Sequence, residues 1–328
     1  MIYTKHFLPL IILCTALVSC NKDGVIVPDD PDSPDNPDNP EVPVTPVDPD
    51  DAPSTGFDIT VYEYTPAPGQ FINDNTNGMP QSISTMHAAN QWAAERLDKG
   101  YFVSLGGFGG YIVVGLDRRI AANSGGYDFG IYGNAFVNEG NPKGSNEPGI
   151  VYVMQDTNGN GLPDDTWYEL RGSDYDDPTT IHDYAVTYYR PAADGQALRW
   201  TDNKGGEGTV DYIAIAHKQP SYYPAWITAD SYTLKGSCLK SRNSLDSETG
   251  LWNIPPFGRG YADNMGEDVL KEDDRNEMNR FNISDAVDAD GKPVSLTYIN
   301  FIKVQTGVNS KSGILGEMST EVCGFRDL

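Results

Sequence analysis

Residues 149–170 read GIVYVMQDTNGNGLPDDTWYEL. Two apolar runs, GIVYVMQ and TWYEL, carry the β-branched and aromatic residues that pleated strands favour, and they flank a stretch of Asp, Asn, Gly and Pro that favours turns. The segment reads as strand, loop, strand. The same pattern recurs at YFVSLGG (101–107), GYIVVGLD (110–117), DFGIYGNAFV (128–137), DYAVTYYRP (183–191), VDYIAIAH (210–217), SYTLKGS (231–237) and INFIKVQTG (299–307), each run bounded by turn-forming residues. Many short strands so spaced predict an all-β domain, a β-sandwich. GGFGG at 106–110, between two of these runs, reads as a hairpin. One helix is expected near residues 86–98: Thr85 suits the N-cap, Met86, Ala89, Ala93 and Leu97 recur at the spacing of one buried face, and Gly100 follows the end.

The N-terminal segment has a different composition. Lys5 and His6 precede FLPLIILCTALV (7–18), an apolar run too short to span a bilayer, and Ser19-Cys20 follow at once. Residues 1–19 read as a secretory signal. Leu17-Val18-Ser19-Cys20 resembles the lipobox of bacterial lipoproteins, in which cleavage precedes the cysteine and Cys20 is acylated, anchoring the chain through several acyl chains. Asn21-Lys22-Asp23 resembles the signal that sends such lipoproteins to the outer face of the outer membrane. Within residues 20–55, proline falls at 28, 31, 34, 37, 40, 43, 46 and 49. Three residues is the period of polyproline II, so these rings line one edge of an extended stalk, about 65 Å long at about 3.1 Å per residue. Residues 56–328 form a single ligand-binding domain on this reading.

The chain carries 47 acidic and 23 basic residues, a net charge of −24. With no basic cluster, it is unsuited to nucleic acid or to anionic lipid headgroups, and contact with membrane is expected through the lipid anchor only. Acidic character suits divalent cations. In the loop of residues 156–169, side-chain oxygens fall at alternate positions, Asp156, Asn158 and Asn160; Gly161 permits the bend, Leu162 offers a carbonyl and Asp164 a further carboxylate. This is the first half of an EF-hand-like calcium loop grafted between strands. Trp167 stands where a bidentate Glu closes such loops, so Asp165 or Glu169 is expected to close it, and the calcium is structural. A long Asn-Gly turn with solvated acids uses the same residues. Asp288-Ala289-Asp290-Gly291 reads as a second, shorter turn.

No catalytic motif is present: a GxSxG elbow, HExxH, a P-loop and a dinucleotide fingerprint are all missing, and His87, His182 and His217 sit in no metal or nucleophile pattern. The chain reads as a binding protein and not an enzyme, with a carboxylate pair for glycoside hydrolysis left open. Aromatic residues crowd between Trp200 and Tyr261 beside Gly, Pro, Asn and Asp. Among them Tyr222, Tyr223, Trp226, Trp252 and Phe257 are expected on neighbouring loops, where rings give contact area to a sugar face or to a corrinoid. Cys238 and Cys323 remain after the signal and the lipidated cysteine; in an oxidising compartment they form a bridge or stay as buried thiols.

GIYGNAF, EPGIVYVMQDTNGNGLPDDTWYELRGSDY, VTYYRP, RWTDN, SYYPAW, SYTLKG, GYADN, FNISDAVDADGKPVSL, INFIKVQTGVN and LGEMSTEV together resemble a family of Bacteroidetes cell-surface lipoproteins across residues 57–328. Some members look to be encoded near TonB-dependent transporters for vitamin B12. The GNAF and EPG segments also resemble galactose-binding-like jelly rolls. The resemblance implies a jelly-roll sandwich at the outer-membrane surface that captures a nutrient for such a transporter, cobalamin first. A glycan, or an adhesive or structural surface role, stands as the alternative.

Overall fold

The computed structural model describes residues 58–328, apart from 77, 139–140 and 272–276, all within one compact unit of the chain. The signal, Cys20 and the proline stretch lie outside the described residues.

Six strands form an antiparallel sheet in the order Ile59–Thr65, Tyr111–Ala121, Tyr298–Thr306, Gly149–Met154, Tyr168–Leu170 and Ala286–Val287. Alternation sorts their side chains: Ile112, Val114, Val151, Val153, Ile302 and Val304 all face one side and are buried. Opposite them lies a four-stranded sheet, Val269–Lys271, Glu277–Phe281, Phe129–Gly133 and Gly324–Asp327. Its Phe129 and Phe281 stack at 5.3 Å and join the same apolar cluster. The protein is therefore an all-β sandwich. Burial of each of these Val, Ile and Phe side chains contributes roughly 1.5–3 kcal/mol before chain entropy is counted.

The helix Met86–Asp98 covers the sheet's first edge. Thr85 Oγ1 accepts from Ala88 N at 3.2 Å, Ala89, Ala93 and Leu97 are buried, and Gly100 takes φ 68° beyond the end. Met86, expected on the buried face, opens the first turn and is exposed. The edge strand bulges between Val61 and Glu63. Asn90 fills that irregularity with its amide, donating to Tyr62 O at 2.8 Å and accepting from Tyr64 N at 2.9 Å. An unpaired strand edge is thereby occupied by a side chain.

A second four-stranded sheet, Glu207–Val210, Leu198–Asp202, Ile181–Tyr189 and Ser231–Cys238, has its own cluster around Phe108, Tyr184, Val186, Tyr188, Leu198 and Leu234. It meets the far face of the six-stranded sheet, where Gln305 Nε2 donates to Lys235 O at 3.0 Å and to Gly109 O at 2.8 Å. GGFGG makes this junction and is not the expected hairpin, because Val103–Ser104 pairs with Glu321–Val322 and not with the strand that follows. A Cβ on Gly106 would meet Ala67 O at 2.0 Å and one on Gly110 would meet Leu105 O at 1.8 Å, so only glycine permits the approach. The run VDYIAIAH also departs from expectation. Its strand ends at Val210, Asp211 turns to Lys311 at 2.7 Å, and residues 213–216 form a turn with Ile215 exposed.

Candidate functional site

The acidic loop folds as a chain of side chain to backbone hydrogen bonds. Asp156 accepts from Gly159 N at 2.6 Å and Gly161 N at 2.9 Å, Asn158 Oδ1 from Asn160 N at 2.9 Å, and Asn160 Oδ1 from Leu162 N at 2.8 Å. Both asparagine amides point at Asp164, 3.0 and 2.9 Å from its two oxygens. Side-chain ends of Asn158, Asn160 and Asp164 thus converge. The expected closing residues do not join them. Asp165 is turned back to Thr157 N, and Glu169 lies on the far face of the sheet, accepting from Ser237 Oγ, because alternation sends Tyr168 and Leu170 toward the core and Glu169 away from it. Asp288–Gly291 forms the expected tight turn, with Gly291 at φ 75° and Asp288 accepting from Asp290 N and Lys292 N.

The aromatic set expected on loops is mostly core. Tyr222 and Tyr223 are 0% and 1% exposed, and Trp226 and Phe257 are buried as well. Each phenol tip is satisfied: Tyr222 OH donates to His217 O and accepts from Ile213 N, and Tyr223 OH donates to Ala229 O. Trp226 packs on Tyr64 at 6.2 Å in the main core, and Phe257 lies edge-on to Tyr261 at 5.6 Å. Trp252 is partly exposed, beside Gly313. The cysteines are free and buried. Cys238 ends a strand of the second layer, whereas Cys323 donates its N–H to Tyr132 O beside the four-stranded sheet of the sandwich, so no bridge joins them.

A polar and aromatic cleft lies elsewhere. The hairpin 309–318 is closed by Met318 N to Ser310 O at 2.9 Å and Ser312 N to Gly316 O at 2.8 Å. Between it and the edge of the second sheet is a cavity of ≈ 290 Å³ lined by Phe108, Tyr188, Trp200, Asn309, Lys311 and Glu317. Trp200 faces Gly208 across the ladder, and a Cβ there would come within 2.5 Å of the indole. Glycine lets the ring lie on the neighbouring strand. Glu317 is only 4% exposed; its Oε1 accepts from Gln70 N at 2.8 Å, and its Oε2 has no partner. Burial pushes its carboxyl up to about 7. Lys311 is committed to both oxygens of Asp211, at 2.8 and 2.7 Å, and leaves Glu317 uncompensated. A larger hollow of ≈ 630 Å³ between the helix and Gly324–Asp327 has acids only from its surface, Asp58, Glu95 and Asp98. Its buried ionisable lining group is the thiol of Cys323, not a carboxyl.

A carboxylate cluster lies deeper. Glu147, Asp263 and Glu321 bring one oxygen each within 4.8 Å of one another. Asp263 holds φ 53° and accepts from Asn134 N, Ala135 N and Glu321 N at 2.8, 2.8 and 2.9 Å. Burial raises all three acids, to about 8 for Glu147 and about 7 for Asp263, with Glu321 well above its usual value; repulsion from Asp263 adds to the rise at Glu147 and Glu321, and repulsion from Glu277 to that at Asp263. Three carboxyls this close share protons or hold a cation. No sequence pattern announces the cluster, since its members are 58 residues apart or more along the chain.

Fold and site together define an all-β sandwich with an aromatic-walled cavity that has a buried carboxyl in its lining, an architecture that hosts binding and catalysis alike. No family model matches the chain, and no curated protein matches it.

Proposed function

We propose that this protein is a lipid-anchored binding protein of the outer-membrane surface. Acylation at Cys20 and the proline stalk of residues 20–55 hold the sandwich away from the membrane, and the cavity captures a nutrient for a TonB-dependent transporter. The ligand is a small polyhydroxylated group, the terminal residue of a glycan. What carries this reading is a cavity walled by Phe108, Tyr188 and Trp200 with the buried carboxyl of Glu317 in its lining. A sugar offers a flat apolar face to Trp200 and hydroxyls to Glu317 and Asn309, so it satisfies both kinds of wall at once. At ≈ 290 Å³ the cavity is near the lower end of pockets that enclose drug-sized ligands, roughly 300–1,000 Å³, and a corrin ring does not enter it. Cobalamin, implied by the family resemblance, would have to lie outside.

Calcium belongs to the same reading as a structural ion at the loop of residues 156–164, held by Asp156, Asn158, Asn160, the Leu162 carbonyl and Asp164. It stiffens the turn between two strands of the main sheet.

Titration of the protein with monosaccharides, a polysaccharide panel and cyanocobalamin tests the ligand. Saccharide binding that Glu317→Gln and Trp200→Ala each weaken tenfold or more is expected. Tight cyanocobalamin binding unaffected by either substitution would overturn the assignment of the cavity.

A further inference from the structure

The face of the six-stranded sheet turned away from the sandwich core carries a row of five residues paired in register across five strands: Glu63, Val113, Lys303, Tyr152 and Glu169. Alternation places all of them on one side. Lys303 stands at the centre. Its ammonium lies 4.3 Å from the centre of the Tyr111 ring and 5.1 Å from that of Tyr152. Each flanking acid is already turned to hydroxyl donors: Glu63 accepts from Tyr111 OH and Thr65 Oγ1, and Glu169 from Ser237 Oγ. The lysine has no such partner. Among the described residues its three N–H donors make no hydrogen bond and no ion pair, although the side chain is largely withdrawn from water and burial lowers it to about 8.

A desolvated cation over two ring faces is stabilised by their quadrupoles, but its donors still require acceptors. Surface lysines normally carry their heads into bulk water. This one is held between two tyrosines by the sheet's own register, and those tyrosines, Glu63 and Glu169 remain partly exposed beside it. The charge around it selects the acceptor. Glu63 already offsets part of the ammonium's charge, so the site has attraction left for at most one negative charge and a dianion is disfavoured. A flat monoanion fits between the rings, and a hydroxyl on the same molecule reaches a glutamate.

We propose that this shelf is a second binding site, specific for the carboxylate of a hydroxy acid such as a sugar acid, with Lys303 as the anchoring cation and Tyr111 and Tyr152 as its walls. It shares no residue with the Glu317 cavity and stands whether or not that cavity binds sugar.

Competitive acetylation of the full chain, read at Lys303 by mass spectrometry, tests it directly. Glucuronate is expected to slow modification of Lys303 at least fivefold, with equimolar glucose or inorganic phosphate doing little. Calorimetric affinity for glucuronate should fall at least tenfold in Lys303→Met, which keeps the apolar stem. Equal protection by glucose, stronger protection by phosphate, or unchanged affinity in a folded Lys303→Met would each overturn the proposal. The protection measurement on the unaltered chain decides the matter if Lys303→Met does not fold.

Discussion

Replacing Glu317 by Gln should stabilise the protein at alkaline pH and weaken it slightly in acid. The carboxyl is raised from 4.5 to about 7 by burial. At about 1.4 kcal/mol for each pH unit separating the two values, the ionised form costs the folded chain about 3 kcal/mol. Below pH 4.5 the group is neutral in folded and unfolded chains alike, and its contribution to stability is intact. As pH rises through 7 the folded chain must ionise a buried group that the unfolded chain ionises freely, and that contribution is lost. Glutamine never ionises. It keeps an oxygen for Gln70 N but puts an NH₂ group where Oε2 had no partner, at a cost of about 1 kcal/mol. The variant is therefore expected to be about 1 kcal/mol less stable at pH 4.5 and about 2 kcal/mol more stable at pH 8.5. The alkaline gain corresponds to roughly 4–8 °C in Tm for a domain of this size. Urea denaturation of both proteins across that range measures it. Glu169, Asp263 and Glu321 are raised in both proteins, so the difference between the two curves reports Glu317 together with the relief its loss gives to Glu147. A difference that stays constant from pH 4.5 to 8.5 would refute the reasoning.

Chelation with EDTA should lower Tm, by an amount equivalent to about 2.7 kcal/mol if calcium had been present at a hundred times its Kd, and Asp156→Ala should abolish that response; equal melting with and without chelator removes calcium from the loop. Trp226→Ala opens a cavity in the main core and should cost about 3–5 kcal/mol in unfolding free energy, while saccharide affinity of the folded fraction stays at the unaltered value. Cys20→Ala should move the protein from the membrane pellet to the soluble fraction, and retention after a carbonate wash would disprove the anchor.

Local chemistry was legible in the sequence wherever it is decided by neighbours in the chain. Thr85, the 89, 93, 97 spacing and Gly100 mark the helix because caps and faces are set within a few turns. The strand runs at 110–117, 149–156 and 299–307 declare themselves by composition. Burial of tyrosine and tryptophan does not. Tyr222, Tyr223 and Trp226 sit among prolines and polar residues, yet the two phenol tips find backbone carbonyls a few residues away and all three rings are buried. Amphipathic side chains fit both settings, and only the long-range pairing of strands chooses. The cavity was hidden for the same reason: Phe108, Tyr188, Trp200 and Glu317 come from segments spread over 200 residues. Glu169 is a different case, since counting from Tyr168 and Leu170 already places it on the opposite face from a residue that faces the core.

The Asn90 clasp has a mechanical meaning. The chain enters the sandwich through its edge strand, so any pull transmitted along the segment before residue 58 arrives at Ile59. A pull along the strand loads every rung from Ile59↔Leu116 to Thr65↔Tyr111 together, whereas a pull across it opens them one at a time from the Ile59 end. At the bulge, where the ladder skips a rung, the two hydrogen bonds of Asn90 tie the strand to a helix that lies outside the sheet. Peeling therefore halts near Tyr62 until the helix lets go as well, and the domain resists traction at the point where a tether would apply it.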